Sequence, residues 1–208
     1  MVDYEKAIKR PFQDVKKLLI GSILNIIPIV NLITSGYIIN SAKNTMNKKN
    51  DLPEWENWGD LFITGLVAAV ISFIYFIPAG AVLLVGVGSL ISGVIAGEIT
   101  AANMSSIIAS GGIMIIVGIL LSIATMLIVP MAIMRYVDKG EFSAAFAIGD
   151  VLKKVLSGKY VVAWIVMIVY AVILGSVSFV IPVAGAAIAA YIVGLTTMTV
   201  FAEVYSEV

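Results

Sequence analysis

Four stretches of the chain carry no Asp, Glu, Lys or Arg: Leu18–Ala42, Leu61–Gly97, Ile113–Met134 and Tyr160–Ala202. No globular core buries a helix on every side for such lengths, so these stretches are solvated by lipid. As one helix the second block would reach about 55 Å, against roughly 30 Å of hydrocarbon. Pro78 lacks a backbone donor and crowds the carbonyl four residues back, so the block reads as a hairpin with arms 61–77 and 79–97. Pro182 divides the last block in the same way, into 160–181 and 183–203. Residues 18–42 read as one span kinked at Pro28, and 112–134 as one span interrupted late by Pro130. The pattern predicts an all-α integral membrane protein: a single transmembrane domain over 1–208, a bundle of about six transmembrane helices. A four-span threading, in which Pro78 and Pro182 mark re-entrant or strongly tilted segments, competes with it.

The charged intervals have patterns of their own. In residues 1–17, Tyr4, Ile8, Phe12 and Val15 recur at helical spacing, with Lys6, Lys9, Arg10, Lys16 and Lys17 on the other faces. Within 141–157, Phe142, Ala145, Phe146, Gly149, Leu152, Val155 and Leu156 form one stripe opposite Glu141, Asp150, Lys153 and Lys154. Both read as amphipathic helices lying at the interface. The basic start followed by an apolar run is not a signal peptide, because 18–42 is too long and lacks a small-residue cleavage site. Trp55 and Trp58, just ahead of a span, read as interfacial anchors.

Polar groups inside the apolar blocks are few. Asn25 and Asn31 in the first span suit helix-to-helix hydrogen bonding better than a solute path. Glu98 falls where the second arm of the first hairpin runs out, beside Thr100, Asn103, Ser105, Ser106 and Ser110, a loop position before a proton site. The small-residue ladders Ser89/Gly93/Gly97 and Ala186/Ala190/Gly194 let another helix approach closely. Asp51, Glu54, Glu56 and Asp60 do not follow the order of a calcium loop.

Composition narrows the chemistry. The mean hydropathy is +1.07, and 13 basic residues balance 13 acidic ones, so no global field calls for nucleic acid. With no Cys and no His, thiolate nucleophiles and the usual zinc ligand and proton shuttle are missing. No catalytic, cofactor or metal residues are assigned, and the chain is read as non-enzymatic. The partners expected are the lipid bilayer and a second copy or another membrane protein. On the six-span threading, a cytoplasmic N-terminus puts ten Lys/Arg inside and Lys43, Lys48 and Lys49 outside, with the C-terminus cytoplasmic in a cell (plasma) membrane.

One internal echo stands out. Gly21–Val30 matches Gly175–Ala184 at a constant offset of 154, aligning Pro28 with Pro182, and Tyr37 with Tyr191 keeps the same offset. Transporters contain duplicated broken helices of this kind. Arg10-Pro11-Phe12 with Asp14, Ile27-Pro28 with Gly36-Tyr37, Leu52-Pro53-Glu54-Trp55 followed by Gly65, and Phe142-Ser143-Ala144-Ala145-Phe146 together resemble an uncharacterised family of small prokaryotic membrane proteins. It is common in methanogenic archaea and catalogued as domain of unknown function 4013. The resemblance covers nearly the whole chain, except that Glu203-Val204-Tyr205 departs from the small and basic tail expected. It implies a polytopic membrane fold and brings no activity, cofactor or substrate. The reading is therefore a membrane module (subunit, scaffold or envelope component), with a small-solute transporter or channel built on the Pro-broken helices as the alternative.

Overall fold

The computed structural model describes residues 2–95, 104–176, 178 and 181–208, and among them the chain is an all-α integral membrane protein. Its helices are α1 (Tyr4–Lys9), α2 (Val15–Ile26), α3 (Asn31–Met46), α4 (Trp58–Ile95), α5 (Met104–Lys139), α6 (Ile148–Val155), α7 (Gly158–Ser176) and α8 (Pro182–Glu207). Four of them, α4, α5, α7 and α8, are long and apolar enough to cross a membrane. Among the described residues, four helices and not six are thus candidates to span, though not by the route the prolines suggested.

Of the four prolines in the uncharged blocks, two lie at helix boundaries and two inside helices. Pro28 falls in the gap between α2 and α3, and Pro182 is the first residue of α8, where its missing N–H has no partner to lose. Pro78 lies inside the 38-residue α4 and Pro130 inside the 36-residue α5. The hairpin at Pro78 and the interruption at Pro130 are thus corrected: the helix continues past each proline. An interior proline costs about 3 kcal/mol, but an open turn in hydrocarbon strands several backbone groups at a few kcal/mol each. At 1.5 Å per residue α4 measures about 57 Å.

Residues 18–42, expected as one span, are two short helices. The 12 residues of α2 reach about 18 Å and the 16 of α3 about 24 Å, each short of the hydrocarbon thickness. They pack antiparallel, with Thr34 Oγ1 donating to the Gly21 carbonyl at 3.5 Å. The turn between them exposes Ile26, Ile27 and Ile29, an apolar tip suited to lipid. Ile29 takes φ +71°, a conformation a β-branched residue rarely adopts.

The chain forms two compact units. The first comprises residues 1–71 and 130–208. In its core α8 is flanked by α2, α3 and α7. α7 and α8 are antiparallel, with Tyr160 on Phe201 at 5.0 Å between ring centroids and Lys159 paired with Glu207 at 2.7 Å. α3 and α4 meet backbone to backbone: a Cβ on Gly36 would lie 1.8 Å from the Leu61 carbonyl oxygen, and one on Gly65 would lie 1.9 Å from that of Leu32. The second unit, residues 72–129, is a helical hairpin of the later part of α4 and the earlier part of α5. It too closes on glycines: a Cβ on Gly118 would strike Leu83, and one on Gly86 would strike the Ile115 amide. Of the expected ladders, Gly93 is buried, Gly97 lies outside the described residues, and Ala186 and Ala190 face outward while Gly185, Ala187 and Ala189 are buried.

The 43–60 loop was expected on the face opposite the N-terminus. Instead Lys17, at the start of α2, donates to Glu54 at 2.7 Å and to the Leu52 carbonyl at 3.2 Å, so α2 and α3 enter and leave by one face. The chain has no Cys, so single-cysteine variants are clean reporters. In sealed vesicles, K17C and K49C are expected to react with an impermeant maleimide from the same side; labelling from opposite sides would refute the re-entrant hairpin.

Candidate functional site

The functional candidate in the first unit is a charged cap gathered around one buried guanidinium. Asp3 caps α1, accepting from the Lys6 amide at 3.0 Å, and Asp14 caps α2, accepting from the Lys17 amide at 3.0 Å. Between the caps, Arg10–Phe12 is a single 3₁₀ turn that buries Arg10 and Pro11 and turns Phe12 outward. The 1–17 segment is therefore not one interfacial helix with Arg10 on its polar face. Arg10 points inward and is 3% exposed.

The guanidinium gathers three other parts of the chain. One terminal nitrogen donates to Thr45 Oγ1 and to Thr199 Oγ1 at 3.3 Å. The other donates to the Ser41 carbonyl at 3.1 Å and the Asp51 carbonyl at 3.5 Å. Burial pulls its pKa down, opposed by Tyr37, Glu203 and Asp51. An arginine starts so high that it stays charged, and a five-donor fork suits four acceptors in different directions.

Beneath this lies an aromatic floor. Tyr37, fully buried, donates its hydroxyl to the Pro53 carbonyl at 2.9 Å and stacks on Trp55 with centroids 3.9 Å apart and planes 8° from parallel. Tyr191 packs against Tyr37 at 6.4 Å, its ring filling the space left by the missing side chain of Gly21. Leu52, Leu61 and Leu195 complete the cluster. Trp55 is thus a lid over Tyr37, whereas Trp58 is 44% exposed and free to face an interface.

Further contacts close the cap. Glu203 accepts from the Asp3 amide at 2.7 Å. Tyr205 donates to Asp138 at 3.2 Å, and Lys154 donates to the Tyr205 carbonyl at 2.9 Å while sitting 4.0 Å above the Tyr205 ring. Arg135 pairs with Asp150 at 2.6 Å. Residues 142–157 are not one helix: Phe142–Phe146 form a 3₁₀ turn and α6 follows, burying Val151 and Val155 and leaving Phe142, Ile148 and Leu156 exposed. Residues 1–17, 41–60, 135–159 and 199–207 are thereby tied into one face. They carry all the chain's Lys and Arg and every acidic residue except Glu98.

The polar path does not assemble among the described residues. Asn25 donates to the Ala187 carbonyl at 3.3 Å, a helix-to-helix bond. Asn31 opens α3, and its carbonyl accepts from Ser35. Glu98 lies outside the described residues. The described clefts are lined mainly by cap residues, with Ile39, Asn40, Thr64 and Val162 beside them, and by neither Asn25 nor Asn31. Among the described residues no group of three or more His, Cys, Asp or Glu is placed to hold a metal. The arrangement offers hydrogen bonds and ion pairs.

Arg10 and Tyr37 were not singled out as site residues from the sequence, yet a signal for both was there. The residues that carry the family resemblance converge: Arg10 reaches Ser41 and Asp51, Tyr37 is sandwiched by the Leu52–Trp55 element, and Gly36 crosses α4 close to Gly65. The two halves of the echo also meet, in the Tyr37–Tyr191 pair.

A family model described as "Protein of unknown function (DUF4013)" matches residues 20–183. No curated protein and no solved structure matches the chain.

Proposed function

The chain belongs to the DUF4013 family of proteins of unknown function, and on that premise we propose that it is a non-enzymatic membrane module, a subunit or scaffold of the plasma membrane that presents one charged cap to the cytoplasm. The observation that supports this is the tying of every Lys/Arg-bearing stretch to one face. Under the positive-inside rule such a face is cytoplasmic, and both termini lie on it. The partner is a second copy or another membrane protein, and anionic headgroups around the cap add to the hold. Transport is the second reading, favoured by the breaks at Pro28 and Pro182, but it needs a polar route and Asn25 is already committed to α8.

Crosslinking in native membranes followed by native mass spectrometry tests the proposal. A stable complex, with itself or with another membrane protein, is the expected result. A chain recovered strictly as a monomer without partners would overturn it.

A further inference from the structure

Residues 50–56 connect α3 to α4 and lie back along α3: Asn44 donates to the Asp51 carbonyl at 3.4 Å and Tyr37, further back on the helix, to the Pro53 carbonyl at 2.9 Å. Side chains alone hold this stretch. Arg10 donates to the Asp51 carbonyl at 3.5 Å, and Lys17 to the Leu52 carbonyl at 3.2 Å and to Glu54 at 2.7 Å. Among the described residues no backbone N–H from 50 to 57 donates a hydrogen bond, so the stretch can lift without breaking a turn of helix. Non-glycine residues in the left-handed region flank it, Lys48 at φ +59° and Asn57 at φ +50°, and both relax if the chain between them is released. Three buried polar atoms along its seat have no hydrogen-bond partner among the described residues: Arg10 Nε, Ser41 Oγ and Trp55 Nε1. An orphaned buried group favours any state in which water reaches it.

From this geometry we infer that residues 50–56 are a lid, hinged at Lys48 and Asn57, that opens as one unit over the Tyr37–Tyr191 floor while the helices stay folded. Closed, the lid drops Leu52 into the apolar cluster and lays Trp55 flat on Tyr37 at 3.9 Å. Opening exchanges the bonds from Arg10, Lys17, Tyr37 and Asn44 for bonds to water, a nearly even trade, and wets the three orphaned atoms. Burial of Leu52 and the Trp55–Tyr37 stack oppose it, so these two side chains set how often the lid opens. Open, it uncovers the Tyr37 ring and frees the Arg10 nitrogen that held Asp51, which places an aromatic face near a cation at the top of the α2–α3–α8 core. The lid does not depend on the module reading above.

The test is thiol labelling of the full chain in detergent with a water-soluble maleimide, since the chain has no Cys of its own. Leu52→Cys reports on the lid, and Val200→Cys, fully buried on α8 beside Thr199, reports on unfolding of the helices. Under native conditions Leu52→Cys is expected to react about a hundredfold faster than Val200→Cys, because a local opening is far more frequent than a global one. Adding Trp55→Ala removes the stack and is expected to speed Leu52→Cys about tenfold while leaving Val200→Cys unmoved. Equal rates for the two single variants would show that this stretch comes away only with the whole fold, and would overturn the lid. So would a Trp55→Ala that speeds neither thiol, or both by the same factor.

Discussion

Arg10→Ala is expected to lower the stability of the detergent-solubilised protein by about 3 kcal/mol or more, because hydrogen bonds to a charged group are worth about 1.5–3 kcal/mol. The substitution removes the donor to Thr45, Thr199 and the carbonyls of Ser41 and Asp51, in a place where the side chain is 3% exposed. Water does not readily replace the guanidinium there, and the Ser41 and Asp51 carbonyls keep only the bonds from uncharged donors, Thr45 Oγ1 at 3.2 Å and Asn44 Nδ2 at 3.4 Å. Arg10→Lys keeps the charge and loses the fork, and should recover only part of the difference. For a chain of this size each kcal/mol corresponds to roughly 2–4 °C in unfolding temperature, so a thermal melt resolves the series. Limited proteolysis adds an independent reading: the first sixteen residues should be clipped faster in the alanine variant. A melt coincident with that of the unmodified protein would show that the guanidinium does not hold the cap together.

Gly36→Ala carries the second large effect. Its new methyl group would sit 1.8 Å from the Leu61 carbonyl oxygen, where ordinary contact begins at 3.4 Å, and the obstacle is backbone that no rotamer change can move aside. α3 and α4 must separate, which strains the Tyr37–Trp55 stack one residue along. Overpacking usually costs 1–3 kcal/mol, and a rigid obstacle places this variant at about 3 kcal/mol. Gly59→Ala is the control, since a Cβ there meets nothing within 4 Å and alanine is the better helix former. If both alanine variants melt alike, the close crossing at Gly36 and Gly65 is not what sets the α3–α4 distance.

The membrane class, the absence of strands among the described residues and the uncharged blocks were legible because lipid solvation acts on composition and length. The four prolines show where legibility stops. Pro28 and Pro78 each follow an isoleucine inside an uncharged block, the first read as a kink within one span and the second as a hairpin turn, yet only Pro28 separates two helices. What separates them is packing: α2 and α3 both lie on α8, through Gly21 against Tyr191 and Asn25 against the Ala187 carbonyl. No local pattern reports that surface. Arg10 was hidden for a related reason, since an arginine among four lysines reads as part of a wet face until the acceptors for its fork are brought in from three distant segments. Asn25 donates to the Ala187 carbonyl at 3.3 Å, as a part-buried amide facing a neighbouring helix does when it finds the nearest carbonyl.

Placing the charges on one face has a consequence for how the protein is made. Within the first unit, α2 ends and α3 begins, and α7 ends and α8 begins, at the end away from the cap, and residues 27–30 and 177–181 hold no ionised group. Carrying one Asp, Lys or Arg to the centre of a bilayer costs about 2.5–3.5 kcal/mol on the insertion scale. On the orientation proposed above, a nascent chain of this design slides these two closed loops in from the ribosome's side, with nothing charged in either connection to haul across.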